Sequence, residues 1–313
     1  MASNNLNVIP KVLVLLASYN GAIWIGEQID SILAQKGVSV HIRVRDDCSK
    51  DDTVAIVVKR FGNDDRVSLD AAITSSGSAG ANFRTLFRGV PDSGYDFVAL
   101  ADQDDIWHPL KMISAVEMLK QSGAQGYSCA VRSFWPDGRE LKLQQNSSIR
   151  GADFLFEGAG QGCTFVIAFP FFLEVRNFCL KHPLFVERFH YHDWLIYLLA
   201  RAWQFDWVFD DREWMRYRQH AGNEIGSRGS FNAVWRRIVL IRNGWYKREI
   251  DKAVDVLQLI TLRSSVIANF SEEFRRPDSI HRRFFLFVFF LVHGRRRRVD
   301  RCVMSVAALV GWI

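Results

Sequence analysis

Apolar positions fall into two rhythms that alternate along the first half of this chain. "KVLVLLAS", residues 11 to 18, is a continuous apolar run with β-branched members that stops at Tyr19-Asn20, the pattern of a strand buried on both faces. Next, Ile25, Gln28, Ile29, Ile32 and Leu33 recur at helical spacing, and Gly37 stands where a C-cap belongs. "SVHIRVRDD" then alternates like a second strand, "DDTVAIVVKRFG" reads as a second helix closed by Gly62, and "YDFVALADQDD" as another apolar strand. This β-α-β-α order followed by a strand predicts an α/β fold with a mostly parallel, doubly wound sheet and right-handed crossovers. In such sheets ligands bind beyond the carboxyl ends of the strands, so Ser18-Tyr19-Asn20, Asp46-Asp47 and Asp102-Gln103-Asp104 are expected to converge.

Pro109 suits the first turn of a helix running to about Gln121, with Met112, Val116 and Leu119 on one side. "GAGQGCTFVIAF" reads as a glycine-rich turn entering a strand. "HDWLIYLLARAW" puts Leu195, Leu198, Leu199 and Ala202 on one helical face with His192 and Asp193 at its N-terminal end.

Several polar clusters carry candidate chemistry. If the backbone stays extended past the third strand, Asp102 and Asp104 project to the same side and can hold a divalent cation. Oxygen ligation suits Mg²⁺ or Mn²⁺, the former usually held by one or two carboxylates with substrate phosphates and waters. An isolated D-x-D is more often a solvated helix cap, but its place at a strand end favours the metal. Asp46-Asp47 is either turn and cap chemistry or an acceptor for a nucleobase N–H or ribose hydroxyl. Asp193 caps its helix in the plain reading, and the same helix field keeps it ionised, as a general base must be. His192 is a neighbouring contact or part of the cap. "YRQHAGNEIG", residues 217 to 226, is a polar loop whose Arg218, Gln219, His220 and Asn223 also suit a diphosphate and its metal.

Taken in order, "LLASYNGAIWIGEQIDSILAQ", "RDDCSKDDT", "LADQDDIWHPLKM", "GCTF", "HDW" and "YRQHAGNEIG" resemble family 2 glycosyltransferases of the GT-A fold, in their bacterial rhamnosyltransferase-like branch. The likeness spans residues 10 to 226. It implies a metal-dependent inverting transfer of a sugar, L-rhamnose from dTDP-L-rhamnose, onto a hydroxyl of a growing surface glycan. It also implies that Ala17, Tyr19, Asn20 and Asp47 line the nucleotide pocket and that Asp102 lies near the ribose. Asp104 would ligate Mg²⁺ or Mn²⁺ at the diphosphate, Arg218 and His220 would close over that diphosphate with His220 able to ligate the metal, Asp193 would be the general base, and Gly162 and Cys163 would border the acceptor site. The sequence departs from the branch at Arg45, Ala221 and Glu224. The same chemistry with a UDP-hexose is the alternative within enzymes, and a non-catalytic membrane-associated scaffold the alternative outside them. No G-x-G-x-x-G follows the first strand, which disfavours a nicotinamide enzyme.

Charge changes the picture only at the C-terminus. The chain of 313 residues has a formal net charge of +6, and seven arginines against one aspartate between His281 and Ile313 account for all of it. We therefore expect a catalytic domain over 1–226 and a basic, apolar helical region over 227–313. Its apolar blocks are too short to span a bilayer. Arginines flanking phenylalanines fit attachment to an anionic membrane surface, with a core-packed helical pair as the other reading. No nucleic-acid module is recognisable. Five scattered cysteines without a C-x-x-C pair, and no secretory leader pattern, point to the cytoplasm, peripheral on the inner face of the membrane if the tail attaches there.

Overall fold

The computed structural model describes residues 8–144, 149–220, 239–260 and 264–313. Strand β1 (Lys11–Ser18) runs through the middle of the parallel half of the sheet, between β2 (Ser39–Asp46) and β4 (Phe97–Asp102). Its unbroken apolar run is explained by two separate cores. Val12, Val14 and Leu16 face the side of helices α1 (Ile25–Leu33) and α2 (Thr53–Phe61), where Ile25, Ile29, Ile32 and Phe61 cover them. Leu13, Leu15 and Ala17 face the other side, under Phe83, Leu86 and Phe87 of helix α3 (Ala79–Arg88).

One parallel strand and one helix go beyond the sequence expectation. β3 (Val67–Ala71) is added outside β2, and α3 follows before β4. β3 is a sheet edge with no fully buried residue, so it carries no apolar run to give it away.

Beyond β4 the sheet becomes mixed. The order is β3-β2-β1-β4-β8-β6-β9-β5, where β5 is Ile106–Trp107, β6 is Gly126–Phe134, β8 is Val166–Ala168 and β9 is Trp207–Arg218. A further strand, β7 (Glu140–Leu143), pairs with β6. Short β8 runs antiparallel between β4 and β6, and β9 runs parallel to β6 with register shifts around Ala130. Ile106 pairs with Arg216 and Trp107 with Met215, so the end of β9 is delivered beside the acidic turn that follows β4. Helix α4 (Lys111–Ser122) begins two residues after Pro109 and closes on Gly123, whose φ of 71° is the left-handed cap that glycine favours.

Helices α5 (Phe169–Lys181), α6 (Pro183–Val186) and α7 (His192–Ala202) cover the α3 side of the sheet. That core continues without a break into the C-terminal helices α8 (Trp245–Leu257), α9 (Ser265–Arg275), α10 (Ile280–His293) and α11 (Arg298–Leu309). Phe156 packs edge-on against Phe270 and Phe290, with ring centroids 5.4 and 5.0 Å apart. The turn between α10 and α11 is tied in by charge. Arg296 donates from Nη1 to Asp153 at 3.0 Å and from Nη2 to the Gly158 carbonyl at 2.7 Å, while Arg295 meets Glu157 at 3.2 Å. Arg282 donates to the carbonyls of Phe274 and Ile313, and Arg301 to those of Arg295 and Arg296. Three of the seven tail arginines, Arg282, Arg296 and Arg301, are therefore buried and partnered, and Arg295 is partnered and mostly covered.

Candidate active site

The carboxyl ends of β1, β2 and β4 are aligned in register. Ser18 lies opposite Asp46, and Ala17 opposite Asp102. A cavity of about 630 Å³ opens there, and its lining includes Ala17, Tyr19, Asp47, Asp102, Asp104 and His220 together with Gly160, Gly162, His192 and Asp193. The three polar clusters separated in sequence do converge.

Behind this wall a hydrogen-bonded scaffold fixes the loops. The Gln103 side chain clasps the Tyr19 backbone, accepting from its N–H at 2.7 Å and donating to its carbonyl at 2.9 Å. A Cβ on Gly21 would fall 2.3 Å from that amide oxygen, which is why glycine follows Asn20. Asn20 has a φ of 50° and accepts from the Lys50 N–H at 2.8 Å, joining the β1 and β2 loops. Asp46 is a connector, taking hydrogen bonds from Ser18 and Ser49, whereas Asp47 reaches the cavity. Burial alone would raise the Asp47 carboxyl. The Ser76 N–H, the hydroxyls of Ser75 and Ser76 and the Arg45 guanidinium outweigh it and hold the group below the ordinary carboxylate range.

The acidic turn is not extended as the sequence suggested. The strand ends at Asp102 and the chain turns at Gln103-Asp104, because β5 must fold back to pair with β9. Asp102 and Asp104 still both face the cavity. The Asp104 carboxylate meets His220 Nε2 at 2.6 Å, and Trp24 stacks on the His220 ring at 4.2 Å between centroids. Asp104 and His220 thus bring a carboxylate and a ring nitrogen together at the cavity, both donor types that Mg²⁺ or Mn²⁺ can accept.

Three expected residues sit behind the wall rather than on it. Asn20 is the loop joint just described. Arg218 braces the acidic turn from outside, donating from Nε to the Asp104 carbonyl at 2.9 Å and from Nη2 to Glu27 at 2.6 Å, with its backbone N–H on Asp105. Cys163 is buried beside Asp105 and is absent from the cavity lining, and burial with Asp105 and Asp102 nearby pushes its thiol well up. Burial, with Asp104 and Asp102 close by, pushes the Asp105 carboxyl well up. Ligand atoms of Asp102, Asp105 and Cys163 lie within 4.8 Å of one another. The Cys163 sulfur makes that trio a poor set for a hard cation. Within the "YRQHAGNEIG" segment, Ala221 to Gly226 lie outside the described residues.

Asp193 stands in the first turn of α7, its carboxylate accepting from the Trp194 N–H at 2.8 Å. Gly162 is held so close that a Cβ there would be 3.1 Å from the Asp193 Cβ and 3.0 Å from His192 Nε2. His192 lies flat on Phe83, centroids 3.9 Å apart. Burial, then the nearby Arg84 and His190, push its imidazole down to about 3, so the ring is neutral.

A family model described as Glycosyl transferase family 2 matches residues 13–182, more than half of the chain and most of these elements. The chain belongs to glycosyl transferase family 2. It is 35% identical over 243 residues to the dTDP-rhamnosyl transferase RfbG of Shigella flexneri, covering 77% of this chain and 84% of that protein. It is also 26% identical over 193 residues to a GalNAc(5)-diNAcBac-PP-undecaprenol beta-1,3-glucosyltransferase of Campylobacter jejuni, covering 58% of this chain and 56% of that one. The fold resembles that of S. aureus TarS solved in complex with UDP-GlcNAc, with a TM-score of 0.54 and 16% identity over 96% of this chain and 89% of that one. This is the GT-A architecture, and the enzyme is a glycosyltransferase.

Sequence reasoning passed over one wall of this glycosyltransferase's cavity. Ser75, Gly77, Ser78, Ala79 and Gly80 line it at the N-terminus of α3. The signal was present, since "SSGSAGANF" sets an N-cap serine before an apolar helical face, and Ser78 does accept from the Ala81 N–H at 3.2 Å. Gly80 is required by contact, because a Cβ would lie 2.1 Å from the His190 carbonyl oxygen.

Proposed function

We propose that this enzyme transfers L-rhamnose from dTDP-L-rhamnose to a hydroxyl of a growing surface glycan, with inversion at the anomeric carbon. The observation that carries the reading is one cavity whose lining brings nucleotide-type and cation-type residues together with Asp193. The 35% identical dTDP-rhamnosyl transferase supports the choice of donor.

In this reading Asp47 accepts a hydrogen bond from the nucleobase, and Tyr19, which is half exposed at the cavity mouth, offers its ring to the base. Asp102 serves the ribose. Asp104 and His220 hold Mg²⁺ or Mn²⁺, which when bound offsets the charge of the departing diphosphate. Inversion puts the acceptor on the face of the sugar away from the diphosphate, where Asp193 removes the proton of the acceptor hydroxyl as its oxygen forms a bond to the anomeric carbon. The bond from that carbon to the diphosphate oxygen breaks, and dTDP leaves with the electron pair. Gly162 keeps the approach to Asp193 open, since any larger residue would push into it. The acceptor glycan is lipid-linked, and the enzyme works at the inner face of the cell membrane.

Thermal-shift binding of dTDP-, UDP- and GDP-sugars with and without Mn²⁺, on the wild type and on Asp104→Asn, tests the donor and the cation together. The expected result is metal-dependent stabilisation by dTDP-rhamnose that the variant loses. Stabilisation by a UDP-hexose alone would replace the donor, and no shift with any nucleotide sugar would remove the reading.

A further inference from the structure

The α10–α11 hairpin buries only one of its two faces. On α10, Leu286, Phe289 and Phe290 pack into the core, while Ile280, Phe284, Val288 and Val292, spaced four apart, point outward and are 43–71% exposed. α11 repeats this, with Met304 and Ala308 inside and Val299, Val306 and Val310 outside. The helices are antiparallel, since Arg282 at the start of α10 donates to the carbonyl of Ile313, beyond the end of α11, at 3.1 Å. Their outward stripes are thus carried side by side, and Trp312, 38% exposed, stands at one end. An apolar surface of this extent calls for an occupant.

Charge says which occupant. From Ser279 to Ile313 the sequence holds one carboxylate, Asp300, and it is turned inward onto Arg295 at 3.4 Å with both side chains 13% exposed. Arg297 and Arg298, at the turn, are exposed. Asp278, just ahead of the hairpin, is bonded to Arg283 at 2.9 Å. The outer face is therefore apolar and cationic. No helix among the described residues is long and apolar enough to cross a membrane. We propose that the outer face of the α10–α11 hairpin docks on an anionic phospholipid surface, with its apolar stripe at the acyl boundary and Arg297 and Arg298 on the headgroups. The sequence offered the arginine run as the anchor. In the fold the phenylalanine helix carries most of the contact, because half of that run is buried in ion pairs with Asp153 and Glu157.

This inference does not rest on the proposed reaction, and its test uses no sugar donor. The full chain is floated with vesicles of phosphatidylcholine alone and of phosphatidylcholine with phosphatidylglycerol, alongside Phe284→Ser/Val288→Ser and Arg297→Glu/Arg298→Glu. These side chains are outside the core, so both variants should melt as the wild type does, and that is measured first. Expected is recovery with the anionic vesicles, reduced by salt, and lowered roughly tenfold or more in either variant. Recovery no better than without vesicles, or variants that float like the wild type, would overturn the proposal. So would a concentration-dependent dimer abolished by the serine variant without vesicle binding, which would assign the face to a second copy of the chain.

Discussion

Asp193 and His192 are adjacent, yet their surroundings give them opposite acid–base character. Asp193 opens to the cavity at a helix N-terminus, where the aligned backbone dipoles favour its charged form. Asp193→Asn keeps the size of the side chain and removes the base, so turnover should fall by about a hundredfold to ten-thousandfold while donor affinity is retained. Single-turnover kinetics beside a binding isotherm would separate the two. His192 is neutral in the fold, its imidazole depressed from 6.5 to about 3. An unfolded chain takes up that proton below its ordinary value and the folded one refuses it, so this contribution to stability is complete above about pH 6.5 and is lost progressively as pH falls toward 3. His192→Gln should therefore flatten the fall in melting temperature between about pH 7 and about pH 5, and a variant as pH-sensitive as the wild type would count against it.

At the scale of elements, two close approaches set the width of the cavity. α3 meets the loop before α7 at Gly80, and the turn at Gly162 meets the first residues of α7. At Gly80 the obstacle is a backbone carbonyl that cannot swing aside, so Gly80→Ala should cost about 1–3 kcal/mol, read by denaturant unfolding. Gly162→Ala meets the Asp193 Cβ and the His192 ring at longer range and should lower turnover more than stability. The acidic turn depends on the β5–β9 pairing and on buried Asp105, which accepts the Arg218 N–H at 3.2 Å. Asp105→Ala leaves the Arg218 N–H without its acceptor and should cost about 1–3 kcal/mol, with the binding response to Mn²⁺ lost alongside. Gly80 was not singled out from the sequence, and Gly162 only through the family resemblance, because each answers to a residue on another element.

Over the whole molecule, the C-terminal helices and the α3 side of the sheet share one core, and their joint is ionic at its deepest point. Arg296 is 4% exposed and serves Asp153 and the Gly158 carbonyl, on the same loop that leads to Gly162. Arg296→Met strands part of the Asp153 and Glu157 charge in the interior and should destabilise the protein by about 3–5 kcal/mol. The melting transition should remain single, since the core is continuous. Arg201, which reaches Asp153 at 3.1 Å, keeps one oxygen of that carboxylate partnered in the variant.

The sequence by itself determined the three central parallel strands, β2, β1 and β4, and the meeting of three polar clusters at their carboxyl ends. Continuous apolar runs state that a strand is covered on both faces, and polar residues at their ends state where the cover stops. It also carried the site's main cast, since Asp47, Asp102, Asp104, Asp193 and His220 all reach one cavity. Only the tertiary structure decided which neighbours face inward. A one-residue step separates Asp46 from Asp47, Asp104 from Asp105 and Gly162 from Cys163, and in each pair one residue lines the cavity while the other is buried behind it. The edge strand β3 and the serine-glycine approach to α3 stayed hidden because an exposed edge and a polar loop need no apolar rhythm. The tail shows the same limit. Composition shows that arginine and phenylalanine are abundant there, but the pairing of Arg295 and Arg296 with carboxylates about 140 residues away arises only when the chain is folded.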